Sequence, residues 1–231
     1  MATVILLRHA RSTANGSGVL AGRQPGVALA DQGVAQAGRL VERLAGVPVD
    51  AVVTSPLERC RETLAPLLAA RGLEAAVEPE LAEVEYGEWT GRAIRDLLEE
   101  PLWQVVQQHP SAAVFPGGEG LAAVQARAVA AIRAHDARIT QEFGPRAVWV
   151  ACSHGDVIKA LLADALGVHL DGFQRIVVDP ASLSVVQYTQ TRPFVLRVND
   201  NGGDLSGVVP PPEKADTAPS SDAVVGGSTG A

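Results

Sequence analysis

Short, β-branched apolar runs that alternate with amphipathic helical stretches predict an α/β protein, a three-layer α/β/α sandwich around a mostly parallel central sheet. Three observations carry that expectation. The runs Val4–Arg8, Ala51–Thr54 and Val148–Cys152 are short and almost wholly apolar, the mark of strands covered on both faces. Helical periodicity separates them, around Asp31–Leu44, Leu57–Arg71, Glu119–Glu142 and Asp156–Leu166. Near the end, Leu183–Tyr188 and Phe194–Val198 alternate more strongly, as a hairpin or edge pair would.

Taken in order, the first strand ends on Arg8-His9, and the glycines of Gly16-Ser17-Gly18 follow. That stretch superficially matches a dinucleotide fingerprint, but Gly22-Arg23-Gln24-Pro25 follows where a helix is required, so it reads as a flexible loop. In the long helical stretch Leu121, Val124, Ala128, Ile132, His135 and Ile139 share one stripe, which makes His135 a core-flanking residue rather than a ligand. The strand Val148–Cys152 leads through Ser153-His154-Gly155 into the next helix. From Asn199 to Ala231 the chain is rich in Gly, Pro and Ser and has almost no large apolar residue. Such a segment buries too little surface to offset its ordering entropy, so a catalytic domain over 1–198 and a disordered tail over 199–231 are expected.

Composition narrows the function. With 231 residues, 47% hydrophobic and 19% charged, the chain can build one sizeable core. A net charge of −7 argues against a nucleic-acid or membrane-surface protein, so any anionic ligand must be held by a local basic cluster. The apolar runs are too short for a signal peptide or a spanning helix. The two cysteines, Cys60 and Cys152, make no disulfide framework and suit a reducing compartment; a cytoplasmic location is expected.

In open α/β sheets, ligands bind beyond the carboxyl ends of the strands. Two unusual polar clusters, Arg8-His9 and Ser153-His154-Gly155, fall at such ends. Ala151–Gly155 imitates a hydrolase nucleophile elbow, but only His169 remains downstream to complete a triad. Cys152 lacks the arginine a cysteine phosphatase would need, since Ile158 stands there, and reads as a small buried hydrophobe. The five histidines show no zinc-ligand spacing.

Four blocks remain. They are Arg8-His9-Ala10-Arg11-Ser12-Thr13 with Asn15; Ser55-Pro56-Leu57-Glu58-Arg59 with Thr63; Leu81-Ala82-Glu83 with Gly87-Glu88-Trp89; and Ser153-His154-Gly155. Pro116-Gly117-Gly118-Glu119 precedes the long helix. In this order, over about residues 3 to 190, the blocks resemble the histidine phosphatase superfamily, phosphoglycerate-mutase-like branch. The resemblance implies a phosphoglycerate-mutase-like fold and a metal-independent phosphatase that passes a phosphoryl group through phospho-His9. Arg8, Arg59 and His154, the last as a cation, would surround the phosphoryl oxygens. Glu83 would be the acid and base, with Glu85 its local competitor. Asn15, Arg11 and the Gly155 amide are further candidate substrate contacts. No metal and no cofactor are implied; the partners would be a small phosphorylated substrate and phosphate, and a homodimer is compatible with the sequence.

The chain departs from the family pattern at Ala10, commonly Gly, at Arg11, often Glu or Gln, and at Gly120, where Ser is frequent. Arg11 facing inward would favour a substrate with a second anion; facing outward, it is a surface charge. Mutases of this branch carry a longer insertion with adjacent arginines, whereas Glu83 and His154 lie only 71 positions apart. Arg92 and Arg95 are expected one helical turn apart on a solvated face, and Leu97–Val106, with Trp103, as a wall of the site. Hydrolysis is therefore favoured over a mutase-like phosphotransferase, the alternative activity, and over a non-catalytic phospho-ligand-binding module. The run Gly22–Val27 also resembles an actinobacterial group assigned as phosphomutases or phosphatases.

Overall fold

The computed structural model describes residues 1–203. Six strands, β1 (Thr3–Arg8), β2 (Ala51–Thr54), β3 (Ala75–Val77), β4 (Val148–Ser153), β5 (Leu183–Gln187) and β6 (Phe194–Asp200), form one sheet in the order β3-β2-β4-β1-β5-β6. The pairs β3-β2, β2-β4 and β4-β1 are parallel; β5 and β6 add antiparallel at the β1 edge. The helices are α1 (Thr13–Ser17), α2 (Asp31–Arg43), α3 (Glu58–Arg71), α4 (Ile94–Leu97), α5 (Pro101–Gln108), α6 (Leu121–Phe143) and α7 (Gly155–Leu166).

The apolar runs make the layers. In β1, Val4 and Leu6 enter one apolar cluster with residues of α6 and α7, while Ile5 and Leu7 enter another with residues of α2 and α3. Successive side chains of a strand point to opposite faces, so a continuous apolar run needs a helical layer on each side. Leu40, Leu64 and Leu67 are fully buried on the α2–α3 side. Each such side chain contributes roughly 1.5–3 kcal/mol. An exposed pair such as Arg138–Glu142, at 3.0 Å, contributes about 0–1 kcal/mol. The two layers, not the surface ion pairs, hold the sheet.

The expected elements are present with small differences. β3 was not anticipated, because three small residues at a sheet edge show no periodicity. Gly16-Ser17-Gly18 is not a plain loop: Ser12 and Asn15 form a capping box for α1, and Gly18 closes it in the left-handed conformation. On α6 the apolar stripe is buried as expected and His135 flanks it, its ring 6.1 Å from Trp149; Asp136, which the periodicity does not mark, is buried as well. Asp136 accepts the Ala2 amide at 3.1 Å and faces Trp149 Nε1 at 3.5 Å, while His135 Nε2 meets Glu78 Oε2 at 2.8 Å. Arg92 and Arg95 do not share a helix; Arg92 precedes α4 and pairs with Glu100 at 2.6 Å.

The composition break at Asn199 falls inside β6, so residues 199 and 200 belong to the sheet rather than to a tail. Asn199 Oδ1 accepts the Asp179 amide at 2.7 Å. The expected tail from residue 204 onward lies outside the described residues.

One close approach positions the loops around the site. Gly87 has φ +54°, and a Cβ there would meet the Pro116 carbonyl and the backbone of Gly117 and Gly118. The left-handed backbone alone makes any side chain unfavourable by about 1–3 kcal/mol. Gly87→Ala is expected to lower the melting temperature by several degrees, beyond what that strain predicts, because backbone cannot move aside. A thermal scan of the variant checks this; an unchanged midpoint would contradict the packing.

Candidate active site

Strand register brings the two histidines together. Arg8 pairs with Ser153 across β1 and β4, and the His9 amide donates to the Ser153 carbonyl at 2.9 Å. The next residues therefore leave the sheet side by side, and the His9 and His154 rings lie 5.3 Å apart. β2 ends in the same row, with the Ser55 amide on the Cys152 carbonyl at 2.9 Å. α3 starts three residues later and places Arg59 in its first turn. Arg59 Nη2 donates to His154 Nδ1 at 3.1 Å and to the Gly22 carbonyl at 2.9 Å. Arg8 is fully buried and donates from Nη1 to the Val178 carbonyl at 2.7 Å. Glu83 reaches the same hollow with Oε2 3.8 Å from His154 Nδ1, its Oε1 accepting the Val84 amide at 3.0 Å. His9, Arg59, Glu83 and His154 are also buried.

The hydrogen bonds set the proton positions. His9 Nδ1 lies 2.8 Å from the Ala10 carbonyl, which can only accept, so Nδ1 carries the hydrogen and Nε2 keeps its lone pair. Burial, then the charges of Arg59 and Arg8, hold His9 well below its usual range, so the ring is neutral. His154 is neutral for the same reasons, burial first and then Arg59, His9 and Arg8. Its Nδ1 receives Arg59, which leaves Nε2–H to donate to Ser55 Oγ at 2.7 Å. The cationic His154 expected from the sequence is thus not what this arrangement holds, since a third positive charge buried beside Arg59 and Arg8 is unfavourable. Glu83 is pushed up to about 7, by burial first and then by Asp156, against the pull of Arg59, the Val84 amide and Arg8.

Of the other candidates, Gly155 opens α7, whose first-turn amides have no intrahelical acceptor. Asn15 is engaged at the start of α1, where its Oδ1 accepts the Ser12 amide at 3.0 Å and hydroxyl at 2.9 Å. Arg11 is half-buried, with its amide on Gln36 Oε1 at 2.9 Å. Glu85 turns away, half-buried, with Oε2 3.9 Å from Arg23 Nε, which removes it as competitor to Glu83. Ala10 has no positive φ and fits without exposure, and its amide donates to Thr63 Oγ1 at 2.9 Å. Thr63 in turn donates to the Arg59 carbonyl at 2.6 Å, linking the first and second blocks. Trp103 stacks on Trp89 at 6.2 Å.

Sequence reasoning missed the floor of the site. Asp156, on α7, is buried and accepts Tyr86 Oη at 2.7 Å, with Lys159 Nζ 3.7 Å away. A carboxylate and an amine three residues apart in an otherwise apolar helix were the signal available. Burial and the nearby Asp156 raise Tyr86 well above its ordinary value, so it stays a donor. Ser55 is one residue of the second block, and only the fold brings its hydroxyl to His154.

Residues 4–201 match the family model described as histidine phosphatase superfamily, branch 1. The chain belongs to that superfamily. Over 205 residues this histidine phosphatase is 30% identical to phosphoserine phosphatase 1 of Hydrogenobacter thermophilus, an alignment covering 86% of the chain and 92% of the relative. It is 32% identical over 190 residues to adenosylcobalamin/alpha-ribazole phosphatase of Escherichia coli, covering 80% and 89% of the two. The crystal structure of the alpha-ribazole phosphatase from Shigella flexneri superposes with a TM-score of 0.74 at 28% identity, covering 86% of this chain and 96% of that one. These relatives are phosphatases, and the superfamily member described here is a phosphomonoester hydrolase of the same α/β fold. Among the described residues, no helix is long and apolar enough to cross a membrane.

Proposed function

We propose that the chain hydrolyses phosphomonoesters of small cytoplasmic metabolites through phospho-His9, without a metal. The observation that supports this reading is the convergence of Arg8, His9, Arg59, Glu83 and His154, from four separate blocks, in one buried cluster.

His9 Nε2 attacks phosphorus, a P–N bond forms and the ester P–O bond breaks. The departing alkoxide takes the proton of Glu83, which is half protonated near neutrality. Glu83, now a carboxylate, removes a proton from water; the hydroxide attacks phosphorus, the P–N bond breaks, and phosphate leaves with His9 and Glu83 restored. Arg8, Arg59 and the Gly155 amide hold the equatorial oxygens, which carry the charge of the transition state. An incoming dianion offsets the charges that keep His154 neutral, so the ring can take a proton and donate to a phosphoryl oxygen. Asn15 and Arg11 are outer contacts for the substrate in this scheme.

The test is hydrolysis of p-nitrophenyl phosphate and of a panel of phosphorylated metabolites by protein treated with a chelator. Retained turnover is the expected result. Loss of turnover with the chelator would overturn the metal-independent mechanism, and interconversion of 2- and 3-phosphoglycerate faster than hydrolysis would overturn the hydrolytic reading.

A further inference from the structure

Two arginines outside the proposed reaction meet on the backbone of its acid. Arg23, in the turn that follows α1, donates from Nε to the Glu83 carbonyl at 2.7 Å and from Nη2 to Glu119 Oε2 at 2.9 Å. Arg127, on α6, reaches the same Glu83 carbonyl from Nη2 at 3.2 Å and the Ala82 carbonyl at 2.9 Å, while its Nη1 donates to the Glu80 carbonyl. Glu119 joins the two guanidiniums. Its Oε1 accepts Arg127 Nε at 3.0 Å, and its Oε2 accepts Arg127 Nη2 at 3.1 Å and the Glu85 amide at 3.0 Å. The Glu119 amide returns to the Glu85 carbonyl at 2.8 Å. The segment 80–85 is thus held by three charged side chains whose anchors lie on three different parts of the chain.

The same turn touches the phosphate side. Gly22, one residue before Arg23, presents the carbonyl that Arg59 Nη2 donates to at 2.9 Å. A single dipeptide therefore carries one contact to the guanidinium of the phosphoryl hollow and one to the acid. Ion pairs this accessible add little to stability; Arg23 and Glu119 side chains are 33% and 24% exposed. What a rigid, forked donor supplies is position, and a proton donor must be held to within a fraction of an ångström. Burial would raise Glu119, but the hydrogen bonds from Arg127 and the Glu85 amide, with the charge of Arg23, hold it below its ordinary value. The network therefore keeps its charges at neutral pH.

We propose that Arg23, Glu119 and Arg127 are positioning residues that hold the Glu83 carboxyl on the leaving-group side of the phosphoryl hollow, in register with Arg59. This rests on the phosphohistidine reading and deepens it. The groups facing Glu83 itself are Arg8, Arg59, His154 and Asp156, from β1, α3, the β4–α7 junction and α7; none belongs to the brace.

The leaving group separates positioning of the acid from a merely structural role. kcat/KM reports steps up to phosphorylation of His9, and p-nitrophenolate leaves without a proton, whereas the alkoxide of glycerol phosphate does not. Wild type, Arg23→Ala, Arg23→Lys and Glu119→Gln are compared on both substrates, together with inhibition by inorganic phosphate. The expected result is a loss of about ten- to a hundredfold in kcat/KM on glycerol phosphate. On p-nitrophenyl phosphate and in the phosphate inhibition constant, each change stays within about threefold. Arg23→Lys is expected not to rescue, because an ammonium cannot bridge the Glu83 carbonyl and Glu119 together. The double variant Arg23→Ala, Glu119→Gln is expected to be no worse than its more damaged parent, as members of one unit are not additive. Equal losses on both substrates, or weakened phosphate inhibition, would overturn the proposal. His9→Ala is run alongside: if it retains turnover, the phosphohistidine reading fails, whereas a dead His9→Ala with equal substrate losses in the brace variants fails the brace alone. Arg23 lies on an accessible turn, so its variants keep the test available if Glu119→Gln does not fold.

Discussion

Replacing His9 with Ala is expected to lower kcat by roughly four orders of magnitude or more while leaving the fold intact. In the proposed reaction the whole first half rests on one atom. Nδ1 is committed to the Ala10 carbonyl, so Nε2 carries the lone pair that must reach phosphorus, and burial beside Arg59 and Arg8 keeps it unprotonated. Alanine removes the nucleophile and opens space beside His154, but it leaves Arg8 and Arg59 in place, so phosphate should still inhibit by binding. Turnover assays, phosphate binding by calorimetry and intact mass after a rapid quench check the three parts. A wild-type phosphoenzyme that is absent from His9→Ala is the expected pattern. The same adduct surviving in the variant would move the nucleophile elsewhere.

Glu83→Gln is expected to trade activity for stability. Glu83 sits at about 7 in the folded chain against an ordinary value of 4.5. The folded state therefore binds a proton that the unfolded state has released, and stability falls as pH rises through that window. Above pH 7 the cost is roughly 3 kcal/mol, and below about pH 4.5 it vanishes. Gln carries no charge, keeps an acceptor for the Val84 amide and should melt higher than wild type at pH 8, with the difference closing on acidification. His9 and His154, both lowered, act with the opposite sign, losing stability as pH falls below 6.5, so the comparison of variant with wild type is read above that pH. Activity goes the other way. Loss of the proton donor should cost about 10²–10⁴-fold in kcat/KM on alkyl phosphates. The fall of wild-type kcat/KM above pH 7 should disappear in the variant. Melting curves at several pH values and pH–rate profiles decide this. A variant that melts lower than wild type at pH 8 would contradict the buried, raised carboxyl.

The architecture was readable because its signals are local. A run such as Val148–Cys152 is apolar at every position only if both faces are covered, and that single fact demands a helix layer on each side of the sheet. The polar punctuation at strand ends, Arg8-His9 and Ser153-His154, was readable for the same reason: charged and imidazole side chains next to buried strands have few places to go except beyond the strands' carboxyl ends. The short strand Ala75–Val77 escaped because three residues carry no period, and the Asn199 boundary was misplaced because composition averages over a window that the last two residues of a strand do not fill.

What the residues alone could not show is how charges at a distance set one another. Glu83 and Glu85 are equivalent as letters; the turn of the backbone buries the first beside His154 and sends the second toward Arg23. His154 was expected to be a cation, yet burial, and then Arg59 at 3.1 Å, hold it neutral. Asp156, Tyr86 and Lys159 lie far apart in the chain or look like ordinary helix residues, and only packing brings them beneath the site. Periodicity and residue type act over a few positions and survive in a string of letters; proton affinities depend on distance and burial in three dimensions, so they belong to the fold.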